Sequence, residues 1–356
     1  MTCVYSCGRF GIVTAALIGL LLVPSLSYAS FMDMGVELAT RSFLAAPVVV
    51  VGKVNTLTYT GETILWHSGA SVSVESYDAQ VEVLRVLQGK VAAGPITVSR
   101  LYEPIREDQY GFREMIDKDR TYVLFLKPEP EKPGFLPVCR PEFALRIDHL
   151  PSGLPAGPSA MPVDALRAIA QSNFHSIDDA VLARWFMLLG NVYDARKDRA
   201  WFLSCASDPR LEIRGCALAV LCQRDPKIEG LATMARQYLQ LASGYYEQAY
   251  LRRTVAYLMP EVVGKKALTP ETLRSWLAIN TEELQVTALR TIADLKQTKL
   301  KGDVNSLMQR TTSWDLQYEC LRTLSILAGL PAPSRTDFMI TGECYLPKSA
   351  YTTRGK

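Results

Sequence analysis

Two hydrophobic rhythms divide the chain. From about Leu38 to Asp148, apolar residues come in short runs broken by turn residues, which is the pattern of strands. The run AAPVVVVGKV (45–54) is rich in β-branched residues and is interrupted by Gly52. YDAQVEVLRVLQGK (77–90) alternates in its middle, with Val81 and Val83 flanking Glu82, and Leu84 and Val86 flanking Arg85. GPITVSRLY (94–102) and DRTYVLFLKP (119–128) supply two more strands, and Gly61, Gly69, Gly89, Gly94 and Gly111 mark turns between them. The stretch 58–76 is polar and rich in Ser and Thr, and reads as a long hairpin or a loop. Four or five short antiparallel strands over 35–148 predict a small barrel or sandwich. Prolines and glycines then crowd 128–162, and HLPSGLPAGPSAMP (149–162) reads as a linker between two domains.

From Val163 to about Leu330 the period becomes helical, and it repeats. EIRGCALAVL (212–221), ELQVTALRTI (283–292) and DLQYECLRTL (315–324) share one register: acid, aliphatic, three variable positions, a small residue, then leucine in all three. A weaker copy lies at 250–258, with Thr254 in the small slot. The anchors Ile213, Tyr250, Leu284 and Leu316 are 37, 34 and 32 residues apart, the period of helical-hairpin repeats. Each anchor helix buries one stripe, such as Ile213, Ala217, Leu218 and Leu221, and its small residue admits a neighbouring helix. Shorter amphipathic segments at 228–242, 269–280 and 301–311 lie between them. Thr269-Pro270-Glu271 is a helix start, with a capping threonine, proline at the first helical position and an acid in the first turn. An earlier helix pair is expected in 176–192, and 196–209 supplies the partner of the first anchor helix. The alternative is an irregular helical bundle with accidental similarity. Residues 331–356 read as a tail.

The first thirty residues differ from the rest. Arg9 is the only charged side chain before Asp33. GIVTAALIGLLLVP (11–24) is apolar but shorter than the roughly 20 residues of a membrane span, and it leads into SLSYAS with Ser27 and Ala29 at small-residue positions. These features predict a signal peptide over 1–29, cleaved after Ala29, and a secreted or periplasmic protein. An uncleaved N-terminal anchor is the rival. A lipoprotein is disfavoured because Cys3 and Cys7 precede the apolar core. Six cysteines then remain (139, 205, 216, 222, 320 and 344), enough for up to three disulfides in an oxidising compartment. They form no C-x-x-C pair and have no neighbouring histidine, so zinc ligation has no support. Cys216 and Cys320 fall in apolar helical segments and read as small buried hydrophobes.

Composition narrows the partners. The 356 residues carry 39 basic and 36 acidic side chains, a net +3, which gives no electrostatic case for nucleic acid. After signal cleavage no apolar run is long enough to span a membrane. The three histidines, His67, His149 and His175, are far apart and read as loop residues. No nucleophile elbow, zinc helix or phosphate loop is present. Asp178 and Asp179 suit the start of a helix after Ser176. Tyr250 and Tyr257, seven apart, read as one core-facing helix stripe, with Tyr245-Tyr246 nearby as a stacking candidate. Trp66-His67 is a candidate for recognition at a loop tip, and Arg252-Arg253 with Lys265-Lys266 for a basic rim. No catalytic, cofactor-binding or metal-binding residue is assigned.

DPRLEIRGCALAVLCQRDP (208–226), with Asp208-Pro209 in a turn and Arg214 and Ala217 on the second helix, resembles a HEAT-type repeat over about 176–330. That resemblance implies an α-solenoid whose concave face binds macromolecules. In the β half, APVVVVGKV (46–54), AQVEVLRVLQGK (79–90) and RTYVLFLKP (120–128) resemble the netrin-like domain of tissue inhibitors of metalloproteinases, an OB-type barrel. Such inhibitors grip the protease zinc through a cysteine at the mature N-terminus. Here that end would be Ser30-Phe31-Met32, and only Cys139 lies in the region, so the resemblance implies the fold without the inhibitory chemistry. The expected protein is α+β in two domains: an OB-like barrel followed by a HEAT-like solenoid of about four helical hairpins. Its expected role is that of an exported, non-enzymatic interaction protein binding a protein partner through the repeat surface. An inhibitor or sensor of an extracellular protease acting through the barrel is the alternative. The oligomeric state is left open.

Overall fold

The computed structural model describes residues 45–67, 70–91, 94–105, 116–138, 144–154, 162–241 and 246–335. The expected signal peptide, Cys139, Cys344, Tyr245 and the tail beyond 335 lie outside the described residues. Two compact units divide at Lys197/Asp198.

The first unit is built on strands β1 (Val48–His67), β2 (Ala70–Gln88), β3 (Pro95–Pro104), β4 (Thr121–Pro128), β5 (Phe135–Pro137) and β6 (Ala144–Ile147). The sheet runs β1-β2-β3-β5-β4, and pairing of β4 back to β1 closes it into a five-stranded barrel. All pairings are antiparallel except the short contact of β3 with β5. This is an OB-like Greek-key order. β6 lies along the first half of β4, outside the closed ring. The interior is filled by alternating residues: Val48, Val50 and Val54 from β1, Ala79 and Val81 from β2, Ile96, Val98 and Leu101 from β3, and Tyr122, Leu124 and Leu126 from β4. Gly52 is where β2 comes closest, because a Cβ there would run into the Val81 side chain.

The polar stretch 58–76 is strand at all its described residues, 58–67 and 70–76. β1 and β2 pair continuously from Val49↔Gln88 to His67↔Ala70, with bulges on the way. They are therefore long, where short strands were expected. The physical reason is that the barrel uses only the lower part of the hairpin. β1 pairs β4 from Val48 to Lys53, and beyond that the hairpin continues as an extension whose Thr residues keep β propensity without apolar alternation.

Helices α1 (Pro162–Asn173) and α2 (Asp179–Asn191) belong to the same unit as the barrel. The chain leaving β6 is clamped by Asn173, which is fully buried. Its Oδ1 accepts from the backbone N–H of Asp148 (2.8 Å) and of His149 (2.7 Å), and its Nδ2 donates to the His149 carbonyl (2.7 Å). Arg85 donates to the Leu154 carbonyl at 3.0 Å. The first part of 149–162 is thus tied down by partly buried hydrogen bonds. Asp178 caps α2 by accepting from Val181 N at 2.9 Å, as its place in the sequence implied.

The second unit continues through α3 (Ala195–Cys205), which crosses the division, and then α4 (Leu211–Arg224), α5 (Leu231–Gln240), α6 (Tyr246–Val263), α7 (Pro270–Ala278), α8 (Glu282–Asp294), α9 (Lys301–Arg310) and α10 (Trp314–Leu327). The described residues therefore give an α+β, two-domain layout with ten α-helices. The longer helices α4, α6, α8 and α10 pack in series, and α5, α7 and α9 each cover the helix that follows them. The anchors Ile213, Leu284 and Leu316 are buried, as are the small residues Ala217, Ala288 and Cys320. The weak copy departs by about one residue: Val255, Ala256 and Met259 are fully buried, while Tyr250 and Thr254 are half-buried. The close approach that sets this register is at Gly215, where any Cβ would meet the Tyr238 ring and lie 3.2 Å from Leu251 Cβ.

Candidate protein-binding face

Helices α8 and α10 bury most of their positions and α6 buries Val255, Ala256 and Met259, and each of the three leaves a stripe accessible. On α8 it is Glu283, Val286, Arg290 and Asp294. On α10 it is Asp315, Tyr318, Arg322 and Ile326; on α6 it is Tyr250, Arg253, Tyr257 and Glu261. All three stripes have the spacing i, i+3, i+7, i+11, one line down a helix. Because the helices stack in series, the stripes lie side by side.

The stripe is locked by polar ties between successive helices. Arg252 of α6 pairs with Glu283 of α8 at 3.1 Å. Arg290 of α8 pairs with Glu319 of α10 at 2.6 Å, and its Nε donates to the same carboxylate oxygen at 3.1 Å. The Glu319 side chain is almost fully buried, so the neighbouring arginine offsets a desolvation cost it could not bear alone. Thr323 donates to the Leu289 carbonyl at 3.1 Å, and Thr281 to the Leu239 carbonyl at 3.0 Å. These bonds fix the spacing of the helices and hold the accessible row rigid. On α10, the chain folds back over the stripe's end. Arg335 pairs with Asp315 at 2.6 Å and lies over the Trp314 and Tyr318 rings, and the Tyr318 hydroxyl donates to the Pro333 carbonyl.

The sequence candidates sort as follows. Tyr257 is 58% exposed, so the core reading fails for it, while Tyr250 is half-buried. Of the basic rim, Arg253, Lys265 and Lys266 are exposed, whereas Arg252 is half-buried in its ion pair. His149 and His175 are exposed, as loop residues should be. Trp66 and His67 close the β1–β2 hairpin in backbone pairing with Ser71 and Ala70, and their side chains lie outside the described residues. No group of three or more His, Cys, Asp or Glu positioned for a metal occurs among the described residues. No helix there is long and apolar enough to cross a membrane.

Four cysteines are described, and all are buried free thiols: Cys205, Cys216, Cys222 and Cys320. None is in a disulfide, so the three-bridge arrangement is not present at these positions. Burial pushes the thiols of Cys205, Cys222 and Cys320 up to about 12. A thiol held that far above neutrality is almost never thiolate and does not attack. Iodoacetamide at pH 8, mapped by peptide mass, is expected to leave these three unmodified in the folded protein and to alkylate them in denaturant. Labelling at equal rates in both states would show that the helical core admits reagent.

Comparison of the chain with protein-family models, with curated proteins and with solved structures returned no match.

Proposed function

We propose that this is an exported, non-enzymatic interaction protein whose stacked helices bind a protein partner along the stripe of α6, α8 and α10. The observation that carries this reading is the matched row of accessible positions on three serially packed helices, held in place by the Arg252–Glu283 and Arg290–Glu319 ties. A surface built this way is extended, rigid and chemically mixed, with exposed Tyr257 and Arg253 at one end and Val286 and Arg290 beside them. Tyrosine and arginine at a preorganised surface are the residue types that anchor protein interfaces. The HEAT-type character of the array and the netrin-like character of the barrel are part of the same proposal, as is cleavage after Ala29 and a periplasmic or secreted location.

The test is site-specific photo-crosslinking in the native cell envelope. A benzophenone side chain replaces Arg253, Tyr257 or Val286 on the stripe, and Gln237 or Ser275 on the covering helices, where both residues are exposed. Adducts of one common mass are expected from the three stripe positions and not from the other two. Adducts from the covering helices alone, or from nowhere, would remove the proposal.

A further inference from the structure

The upper part of the barrel hairpin carries a second surface. Beyond the point where β4 leaves β1, strands β1, β2 and β3 continue as a three-stranded extension. The last core row across it is Tyr59↔Tyr77↔Leu101. The next row on the same face is Glu62↔Glu75↔Glu103, and the one after that holds Ile64 opposite Ser73, with Ile105 N donating to the Ser73 carbonyl at 3.3 Å. Side chains directly opposite one another on neighbouring strands point to the same side, and so do residues two apart on one strand. Three carboxylates therefore stand in a line across the sheet, with two tyrosines on one flank and two isoleucines on the other.

Among the described residues no cation offsets this line. Like charges directly opposite in a sheet are destabilising. Among the described residues, no lysine or arginine pairs with Glu62, Glu75 or Glu103. The Tyr77 hydroxyl donates to Glu75. The excess negative charge is felt by both rings: the hydrogen bond to Glu75, with Glu103 adding to it, pushes the Tyr77 phenol up to about 12, and burial together with Glu62 and Glu75 raises that of Tyr59. The flanks are open. Ile64 is 69% exposed, Tyr59 52% and Ile105 44%. A face that is apolar at both margins and anionic between them is complementary to a chain with the opposite pattern.

We propose that this face of the β1–β2–β3 extension docks a basic segment of a partner protein, its lysine or arginine heads on Glu62, Glu75 and Glu103 and its apolar residues on Ile64 and Ile105. The tyrosine rings beside the carboxylates add a cation–π surface for the same heads. Nucleic acid and anionic lipid are repelled by the row, and a small polyamine leaves the isoleucines uncovered. Beyond Val54, the outer edge of β1 has no strand partner among the described residues, so an extended segment also finds free backbone groups there. This surface is independent of the helical stripe, and either can fail without the other.

The test uses the full chain and a fluorescent decapeptide of alternating lysine and valine, with glutamine replacing lysine in the control. Anisotropy is expected to show binding of the lysine peptide, weakened at least about tenfold in Glu62→Gln/Glu103→Gln, weakened by added salt, and absent for the glutamine peptide. Ile64→Ser is expected to weaken binding at constant salt dependence, which separates docking from bare charge attraction. The double glutamine variant removes repulsion, so its Tm is expected to hold or rise. Equal binding of both peptides, unchanged binding by the variants, or no binding at all overturns the proposal. So does a fall in Tm accompanying the loss of binding, or a self-dimer that Ile64→Ser dissociates while the peptide is ignored.

Discussion

Replacing Trp185 with alanine is expected to cost about 3–5 kcal/mol, the range for emptying a buried aromatic site. The indole is completely buried, and its Nε1 donates to the Arg146 carbonyl of β6 at 3.4 Å. Leu182, Phe186 and Leu189 flank it on α2, all buried, so the helix has little freedom to slide into the void. A loss of this size is a large share of the total stability of a domain. It is expected as a lower urea midpoint, and as hydrogen-exchange protection lost together at Ala144–Ile147 and along α2. If β6 kept its protection while α2 lost its own, the indole would not be what joins them.

That helix shows where the sequence stopped being readable. Its amphipathic pattern predicted a helix pair within 176–192, but the structure has a single helix there, Asp179–Asn191, because the stretch is too short for two helices and a turn, and its neighbour is the upstream helix Pro162–Asn173. The same pattern says nothing about what covers the apolar side. Here α1 and β6 share the cover, and β6 is a four-residue strand with no periodicity to announce it. β5 is shorter still and exists because closing the ring brings Phe135 beside Val98. The core strands and the repeat anchors were legible because burial imposes a period on them. The extension of β1 and β2 was legible only as a polar stretch, because its buried apolar positions are too few, Val74 foremost, to write alternation into it.

The candidate surfaces were harder to see. Arg253 and Tyr257 stood out as residue types, but exposure depends on the register of α6 against its neighbours. The close approach at Gly215 sets that register, and no local pattern records it. The glutamate row is a stronger case. Glu62, Glu75 and Glu103 sit on three different strands and become neighbours only through two bulges, between Tyr59 and Gly61 and between Tyr77 and Ala79. Remove the bulge at Tyr59–Gly61 and Glu62 turns to the opposite face of the sheet. An irregularity of one residue thus decides whether the row exists, and hydrophobic periodicity carries no information about it.

Gly89, in the turn that ends β2, is the position where a single methyl group is expected to do the most damage to the barrel. Its φ is +84°, a conformation that costs an L-residue about 1–2 kcal/mol. An added Cβ would also fall inside the van der Waals contact distance of the Pro47 carbonyl oxygen and lie 3.0 Å from Val48 Cγ2, at the entry to β1. The chain cannot yield cheaply there, because Gln88 Nε2 donates to the Ala46 carbonyl at 2.8 Å and Val49 pairs with Gln88. Gly89→Ala is therefore expected to cost roughly 3 kcal/mol or more, strain and overlap together. Gly94→Ala is the matched control. Its φ is +109° with nothing within 4 Å of the new Cβ, so it carries strain without overlap and is expected to cost about 1 kcal/mol. Urea midpoints of the two variants measure the difference. If they came out equal, the turn after β2 would be loose enough to move away from β1, and the closure of the barrel at Val48 would not depend on it.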